Sequence, residues 1–241
     1  VIDTQELFQS IGKADKIWHL GQASLLSGLS GGELLRISGL FKDQIHTRGE
    51  IIFDQGDSPA ALYLLNRGSV RLSMTNEDQR EKTLKILKRG DIFGLESIGH
   101  DGQSNVRATA HEESWVSVLT RDQFLNIAIE QPSLYFNFIQ ILLLRLADAR
   151  EDVKALCFMD TQERLAQTLL KLAHTHGQQV ASRENMVRVR VRLSHDYLAG
   201  MISSNRPYLS NIMSSFKKQG WISYKNQYLL VDIDALQNIV G

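Results

Sequence analysis

Ile139, Leu142, Leu146, Ala149, Val153 and Leu156 follow one another at spacings of 3, 4, 3, 4 and 3. That is the a/d stripe of a two-stranded coiled coil, and it commits residues 132–157 to one helix, about 39 Å long at roughly 1.5 Å per residue. Phe138, Ile141 and Arg145 lie off the stripe and are left to pack on the core of their own chain. The stripe has no counterpart elsewhere in the sequence, so it predicts a parallel homodimer. The alternative is a stripe buried within one chain. Either way the helix cuts the chain into two parts with different periodicities.

Ahead of the helix, short apolar runs are punctuated by glycine: RGEIIFDQGD, LYLLNRGSVRLS, TLKILKRGDIFGLES and VRATAHEESWVSVL. Brief strands with a turn signal every ten residues or so specify a sandwich or jelly-roll barrel. Helices are excluded there because Gly56, Gly68, Gly90 and Gly94 would interrupt every candidate. Upstream, Ala23 to Leu40 has helix-like apolar spacing and is expected on the side of the barrel.

Behind the helix, Asp160 is placed to cap a helix over Thr161–His174. Residues 177–185 read as a polar loop. MVRVRVRLS then alternates Val187, Val189 and Val191 with Arg188, Arg190 and Arg192, so a strand would bury the valines and expose the arginines. The stretch LSHDYLAGMISSNRPYLSNIMSSFKKQGWI follows. Ser194 can cap a first helix whose apolar face is Leu198, Met201 and Ile202; Ser203-Ser204 turns the chain; Asn205 caps a second helix with Pro207 in its first turn. Leu209, Ile212, Met213 and Phe216 form the inward face of that second helix. Arg206, Pro207, Tyr208, Ser210, Asn211, Ser214, Lys217 and Lys218 are the residues offered outward. Arginine and asparagine can pair bidentately with base edges, and lysines neutralise phosphate, so this face suits the major groove of duplex DNA. A hairpin over Trp221–Tyr224 and Gln227–Val231 completes a winged helix-turn-helix.

The charge distribution agrees. The chain holds 27 Lys/Arg and 27 Asp/Glu, but from Asp160 onward 10 basic residues face 6 acidic ones, leaving the last third at +4 and the rest at −4. A basic end suits a polyanion. The lone Cys157 excludes an internal disulfide framework and an iron–sulfur cluster. The most apolar run, Leu134–Ala147, is too short to span a bilayer and contains Arg145, no charged-then-apolar leader opens the sequence, and the expectation is a soluble cytoplasmic protein without membrane partners. No Ser/His/Asp or metal-ligand spacing and no phosphate-binding glycine loop stands out, so no enzyme, metal site or cofactor is expected.

The order barrel, long helix, winged helix-turn-helix resembles the cyclic AMP receptor protein family of bacterial transcription regulators, the Crp/Fnr superfamily. FMDTQERLAQTLLKLA followed by LSHDYLAGMISSNRPYLSNIMSSFKKQGWI and the G-D-I-F-G of the barrel carry the resemblance, which spans about Leu20 to Val231. It implies an α+β protein: a jelly-roll, cyclic-nucleotide-binding-like barrel for effector sensing with N-terminal helices (1–131), a dimerisation helix (132–157) and a winged helix-turn-helix that binds DNA (158–241). It also implies a homodimer on a palindromic operator, acting as activator or repressor, with RNA polymerase as a further candidate partner.

Nucleotide-binding members of that family place a glutamate after F-G for the ribose, an Arg-Ser pair for the cyclic phosphate and Thr-Ser on the long helix for the base. Here Gly94 is followed by Leu95, with Glu96 one residue late; Asn105-Val106 or Val106-Arg107 fill the phosphate stretch, with Arg107 one residue out of register; Ala149 and Arg150 replace the helix hydroxyls. A one-residue slip in a strand turns a side chain to the opposite face. The expectation is a barrel that does not take cyclic AMP. Arg107, Arg150 and Glu96 are left either to form a pocket for another anion or to pair among themselves in a purely structural barrel. Haem held by His19, His46, His100 or His111 is a further alternative, as is a regulatory subunit without DNA binding.

Overall fold

The computed structural model of the 241-residue chain describes residues 13–78, 81–99, 102–180 and 183–240. The described residues group into two compact units, one within 13–74 and 86–147, the other within 75–85 and 148–240.

In the first unit two four-stranded antiparallel sheets face one another. One has the order β1-β8-β3-β6, built from β1 (Lys42–His46), β8 (Ser114–Thr120), β3 (Ala61–Arg67) and β6 (Ile92–Phe93). The other has the order β2-β7-β4-β5, from β2 (Ile51–Phe53), β7 (Arg107–Ala110), β4 (Val70–Thr75) and β5 (Glu81–Leu87). Each strand sends alternate residues to opposite faces. Between the sheets lies a core of Phe53, Tyr63, Leu65, Val70, Phe93, Val106, Ala108 and Val116.

The outer face of the first sheet carries Leu62, Leu64 and Leu119, covered by helices α1 (Lys13–Gly21), α2 (Gly31–Ser38), α3 (Arg121–Glu130) and the first half of α4 (Ser133–Phe158). Leu20, Ile37, Phe124, Leu134 and Ile141 are the buried contributions of those helices. Phe138 packs beside them, and Arg145 donates from Nη2 to the carbonyl of Ile92 (3.3 Å).

Several boundaries differ from the sequence reading. The segment from Ala23 to Leu40 is not one helix: a 3-10 turn (Ser24–Leu26) ends before Gly28, which takes φ +83°, and α2 starts afresh under a reciprocal Ser30–Glu33 capping box. Helix α3 was not anticipated; its signal is the Thr120–Gln123 capping box.

In the second unit α5 (Thr161–His176) is capped by Asp160, whose side chain accepts from the backbone of Gln162 and Glu163. The segment 177–185 is not a loop. It contains β9 (Gly177–Val180) and the start of β10 (Arg183–Val189), which pair antiparallel in a sheet of order β11-β12-β10-β9 with β11 (Ile222–Lys225) and β12 (Tyr228–Asp232). Gly177 is required there, because a Cβ would sit 1.9 Å from the carbonyl oxygen of Ala173. Val187, Val189 and Val191 are buried while Arg190 and Arg192 are exposed, so the alternation persists two residues past the end of the strand. The closing helix α8 (Ile233–Val240) was not foreseen and covers the sheet through Leu236. Among the described residues no helix is long and apolar enough to cross a membrane.

Candidate nucleic-acid interface and effector pocket

Helix α6 (His195–Met201) begins where the hydroxyl of Ser194 accepts from the backbone N–H of Tyr197, and it ends at Ile202. Ser203 takes a left-handed φ of +52°, which reverses the chain within two residues. Ser204 N–H returns to the carbonyl of Ala199 (2.9 Å). The turn is held from both sides. Arg164 on α5 donates to the carbonyls of Ile202 and Met159 (3.1 and 2.8 Å), and Lys82, from the β4–β5 hairpin tip that groups with this unit, donates to Ser203 Oγ (2.9 Å).

Helix α7 (Arg206–Lys218) starts under the side chain of Asn205, which accepts from Tyr208 N–H (2.9 Å), a cap worth about 1 kcal/mol. Pro207 sits in the first turn, where its missing N–H costs no helical bond. Leu209, Ile212, Met213 and Phe216 are all buried, and Phe216 meets Trp221 edge-on at 5.1 Å. The opposite side is solvent-facing: Arg206, Pro207, Tyr208, Asn211, Ser214, Lys217 and Lys218 are exposed, and Ser210 is half-buried. The wing follows as β11 and β12, with Asn226 and Gln227 both at positive φ, the pair of left-handed residues a tight hairpin turn requires.

Two contacts that sequence reasoning missed bind α6 to this face. His195 Nδ1 lies 2.9 Å from Ser210 Oγ, and Asp196 Oδ2 lies 3.5 Å from Arg206 Nη1. Both follow from the first turn of α6 lying beside α7, which no local pattern in the sequence signals.

The barrel places its candidates differently. Gly94 is buried at φ +73° with no room for a side chain, since a Cβ would stand 2.8 Å from the carbonyl of Ala61 and from the ring of Tyr63. It opens a 3-10 turn in which Leu95 packs on the helix-covered face, Glu96 is exposed and Ser97 is fully buried with its hydroxyl lacking a hydrogen-bond partner. Asn105 is exposed. Val106 and Ala108 point into the core, so Arg107 between them points out, where its Nε and Nη2 form a bidentate pair with Asp54 (2.8 Å each). The Arg107 guanidinium, chiefly through these hydrogen bonds, holds the Asp54 carboxyl below its usual range.

Arg107 therefore finds its bidentate partner in Asp54, which the sequence reading had not considered. Ala149 and Arg150 are exposed on α4. The space between the sheets is occupied instead by a cluster of Phe53, Tyr63 and Phe93, with ring centroids 5.1 to 5.9 Å apart. Burial pushes the Tyr63 phenol up.

Of the histidines considered for haem, His46 is engaged on both ring nitrogens, by Glu50 (2.7 Å) and Gln44 (3.3 Å), and His19 packs edge-on against Trp115. His111 starts the turn after β7, and His100 lies outside the described residues. The Glu50 carboxyl is itself held low, first by the backbone N–H of Thr47. Among the described residues no cluster of His, Cys, Asp or Glu could hold a metal ion.

A barrel followed by a long helix and a winged helix-turn-helix defines the class, a transcription regulator with a DNA-binding helix-turn-helix. Residues 44–131 match the cyclic nucleotide-binding domain and residues 163–239 the Crp-like helix-turn-helix domain. The chain is similar to the cyclic AMP receptor protein of Thermus thermophilus, 29% identical over 81% of this chain and 86% of the relative. It is also similar to the global nitrogen regulator of Synechococcus elongatus, 26% identical over 76% of this chain and 82% of that one. Among solved structures, a CooA mutant from Carboxydothermus hydrogenoformans matches with a TM-score of 0.72 and 25% identity, covering 89% of this chain and 92% of that one. The protein belongs to the Crp/Fnr family of transcription regulators.

Proposed function

We propose that this regulator acts in the cytoplasm as a homodimer on a palindromic operator, and that cyclic AMP is not its effector. In this reading residues 1–131 form the sensing domain, 132–157 the dimerisation helix and 158–241 the DNA-binding domain. The observation that carries it is the outward face of α7, a row of Arg206, Asn211, Ser214, Lys217 and Lys218 backed by four fully apolar, buried positions. Arg206 is assigned to a guanine, Asn211 to an adenine or a phosphate, and the lysines to phosphates. Tyr208 and Ser210 flank these contacts.

Dimerisation is supported by the a/d stripe. Ile139, Leu142, Leu146, Val153 and Leu156 are between 41% and 60% exposed, and Ala149 completes the row. So much apolar surface aligned on one helix calls for a cover. A parallel pair would hold two copies of α7 about 34 Å apart, one turn of DNA.

Against cyclic AMP stands the outward direction of Arg107 and its commitment to Asp54. A cyclic phosphate placed between the sheets would meet aromatic rings and valine, and an unpaired buried charge costs several kcal/mol. The relatives whose names include cyclic AMP and the one named for nitrogen show that the fold by itself does not assign an effector.

Selection of duplexes from a random pool by the purified protein tests the whole reading. The expected product is a two-fold-symmetric site with half-sites one turn apart. Its binding should weaken with salt at a log–log slope of about −4 from the four α7 lysines of a dimer alone. Calorimetry with cyclic AMP is expected to show no heat. Recovery of no preferred duplex overturns the DNA-binding assignment, and micromolar nucleotide binding overturns the effector assignment.

A further inference from the structure

Asp196 is the only acidic residue between Ser194 and Val231, the stretch that holds both helices of the helix-turn-helix and the wing. It is exposed, it lies in the first turn of α6, and its carboxylate sits beside the guanidinium of Arg206 at 3.5 Å. A carboxylate on a surface that approaches phosphates lowers affinity for every duplex alike. Placed next to the first arginine of α7, it would also draw one edge of the guanidinium toward α6 and so limit the directions in which the remaining N–H groups point. The adjacent His195 Nδ1···Ser210 Oγ contact at 2.9 Å joins the same two helices one turn further along α7, which fixes the distance over which Asp196 acts.

We propose that Asp196 is a specificity-determining residue of DNA recognition, a positioning carboxylate that orients Arg206 for one guanine while suppressing its use as a general phosphate ligand. This rests on the assignment of α7 to the major groove. An unrestrained arginine on a helix start reaches either a base edge or the nearest phosphate, and the phosphate is the stronger electrostatic attractor. With the carboxylate beside it, the guanidinium brings a partly compensated charge and a preset plane. Both favour bidentate hydrogen bonding to O6 and N7 over a point-charge contact. Asp196 thus exchanges general affinity for discrimination. The other role open to an acidic residue in a first helical turn is interaction with the helix dipole, which is a matter of stability alone.

The two roles separate in a double-mutant cycle on the full-length protein. Three duplexes are needed: the site recovered by selection, the same site with the guanine lost to Arg206→Ala replaced by adenine, and a scrambled sequence. Asp196→Asn is expected to raise affinity for the scrambled duplex a few-fold at low salt. It should lower the guanine-over-adenine ratio about fivefold to tenfold, a large part of what one bidentate pair confers. In the Arg206→Ala background the same change should leave that ratio untouched.

Thermal melts run alongside, and Asp196→Ser, which keeps a polar group in the first turn, replaces Asn if the latter melts early. An unchanged ratio, an equal loss at every operator position, or the same loss with and without Arg206 overturns the proposal. Selection that recovers no preferred duplex overturns the DNA-binding assignment, and this inference with it, a result distinct from all of these.

Discussion

The space between the barrel sheets and the outward face of α7 differ in what their side chains leave free for a ligand. On α7 the exposed residues form a polar, basic face laid over Leu209, Ile212, Met213 and Phe216. In the barrel one step along the chain separates Val106, which points between the sheets, from Arg107, which points outward to Asp54. The cause is the period of the element. On a helix, residues three and four apart share one face, so a reading face is spread over several positions. Moving one residue along a strand turns a side chain by 180°. A single position along a strand therefore decides whether the interior meets an arginine or a valine, whereas a helical face is set by several positions together.

The most forceful test of that contrast is to reverse the step. Val106→Arg places a guanidinium between the sheets, against Phe53, Tyr63 and Phe93, and is expected to destabilise the barrel by about 3–5 kcal/mol in urea unfolding, the cost of a buried charge without a partner. The contrast breaks if the variant is as stable as the parent, and it sharpens if added cyclic nucleotide restores the lost stability. The next largest effect is expected on the helix that joins the two regions. Leu146→Asp on the exposed stripe should yield a monomer in sedimentation and weaken operator binding roughly a hundredfold, because the two half-sites would no longer be engaged as one event.

What could be read from residues alone follows the same division by period. The a/d stripe, the alternation of Val187, Val189 and Val191, the Asn205 cap and the inward residues of α7 are local patterns, and each appears in the structure where its spacing puts it. The direction of Arg107 was legible as a register argument. Its partner was not, because Asp54 is 53 residues away and meets it only through the pairing of β2 with β7. Asp196 and His195 were invisible for the same reason: they act across the turn between α6 and α7, through angles that no sequence period encodes. The break in the segment from Ala23 to Leu40 is signalled by the Ser30–Glu33 capping box, a local cue that overrides the apolar period.

On the α7 side the comparison is sharpened by a conservative exchange. Arg206→Lys keeps the charge and removes the planar fork, so nonspecific affinity and the salt slope should hardly change. Discrimination at one base pair of each half-site should fall by about 1–3 kcal/mol in competition binding. An equal loss on all duplexes would make Arg206 a phosphate contact and leave the face without its proposed guanine reader.

The smallest expected effect is at Asp54, and it asks whether Arg107 is held outward by its partner or merely excluded from the core. Hydrogen bonding from Arg107 lowers the Asp54 pKa in the folded chain, so the pair contributes stability that is fully present above the unfolded carboxyl value near 3.9 and is lost as pH falls through it toward the lower folded value. The side chains are 35% and 37% exposed, and solvent screening limits the contribution to about 1 kcal/mol or less, a shift of a few degrees in melting temperature. Asp54→Asn should therefore melt slightly below the parent at pH 7, and the gap should narrow as pH falls below the unfolded carboxyl value. A gap that stays the same as pH falls well below the unfolded carboxyl value would mean that the carboxylate charge is not what anchors Arg107. The inward valine alone would then account for the closed barrel.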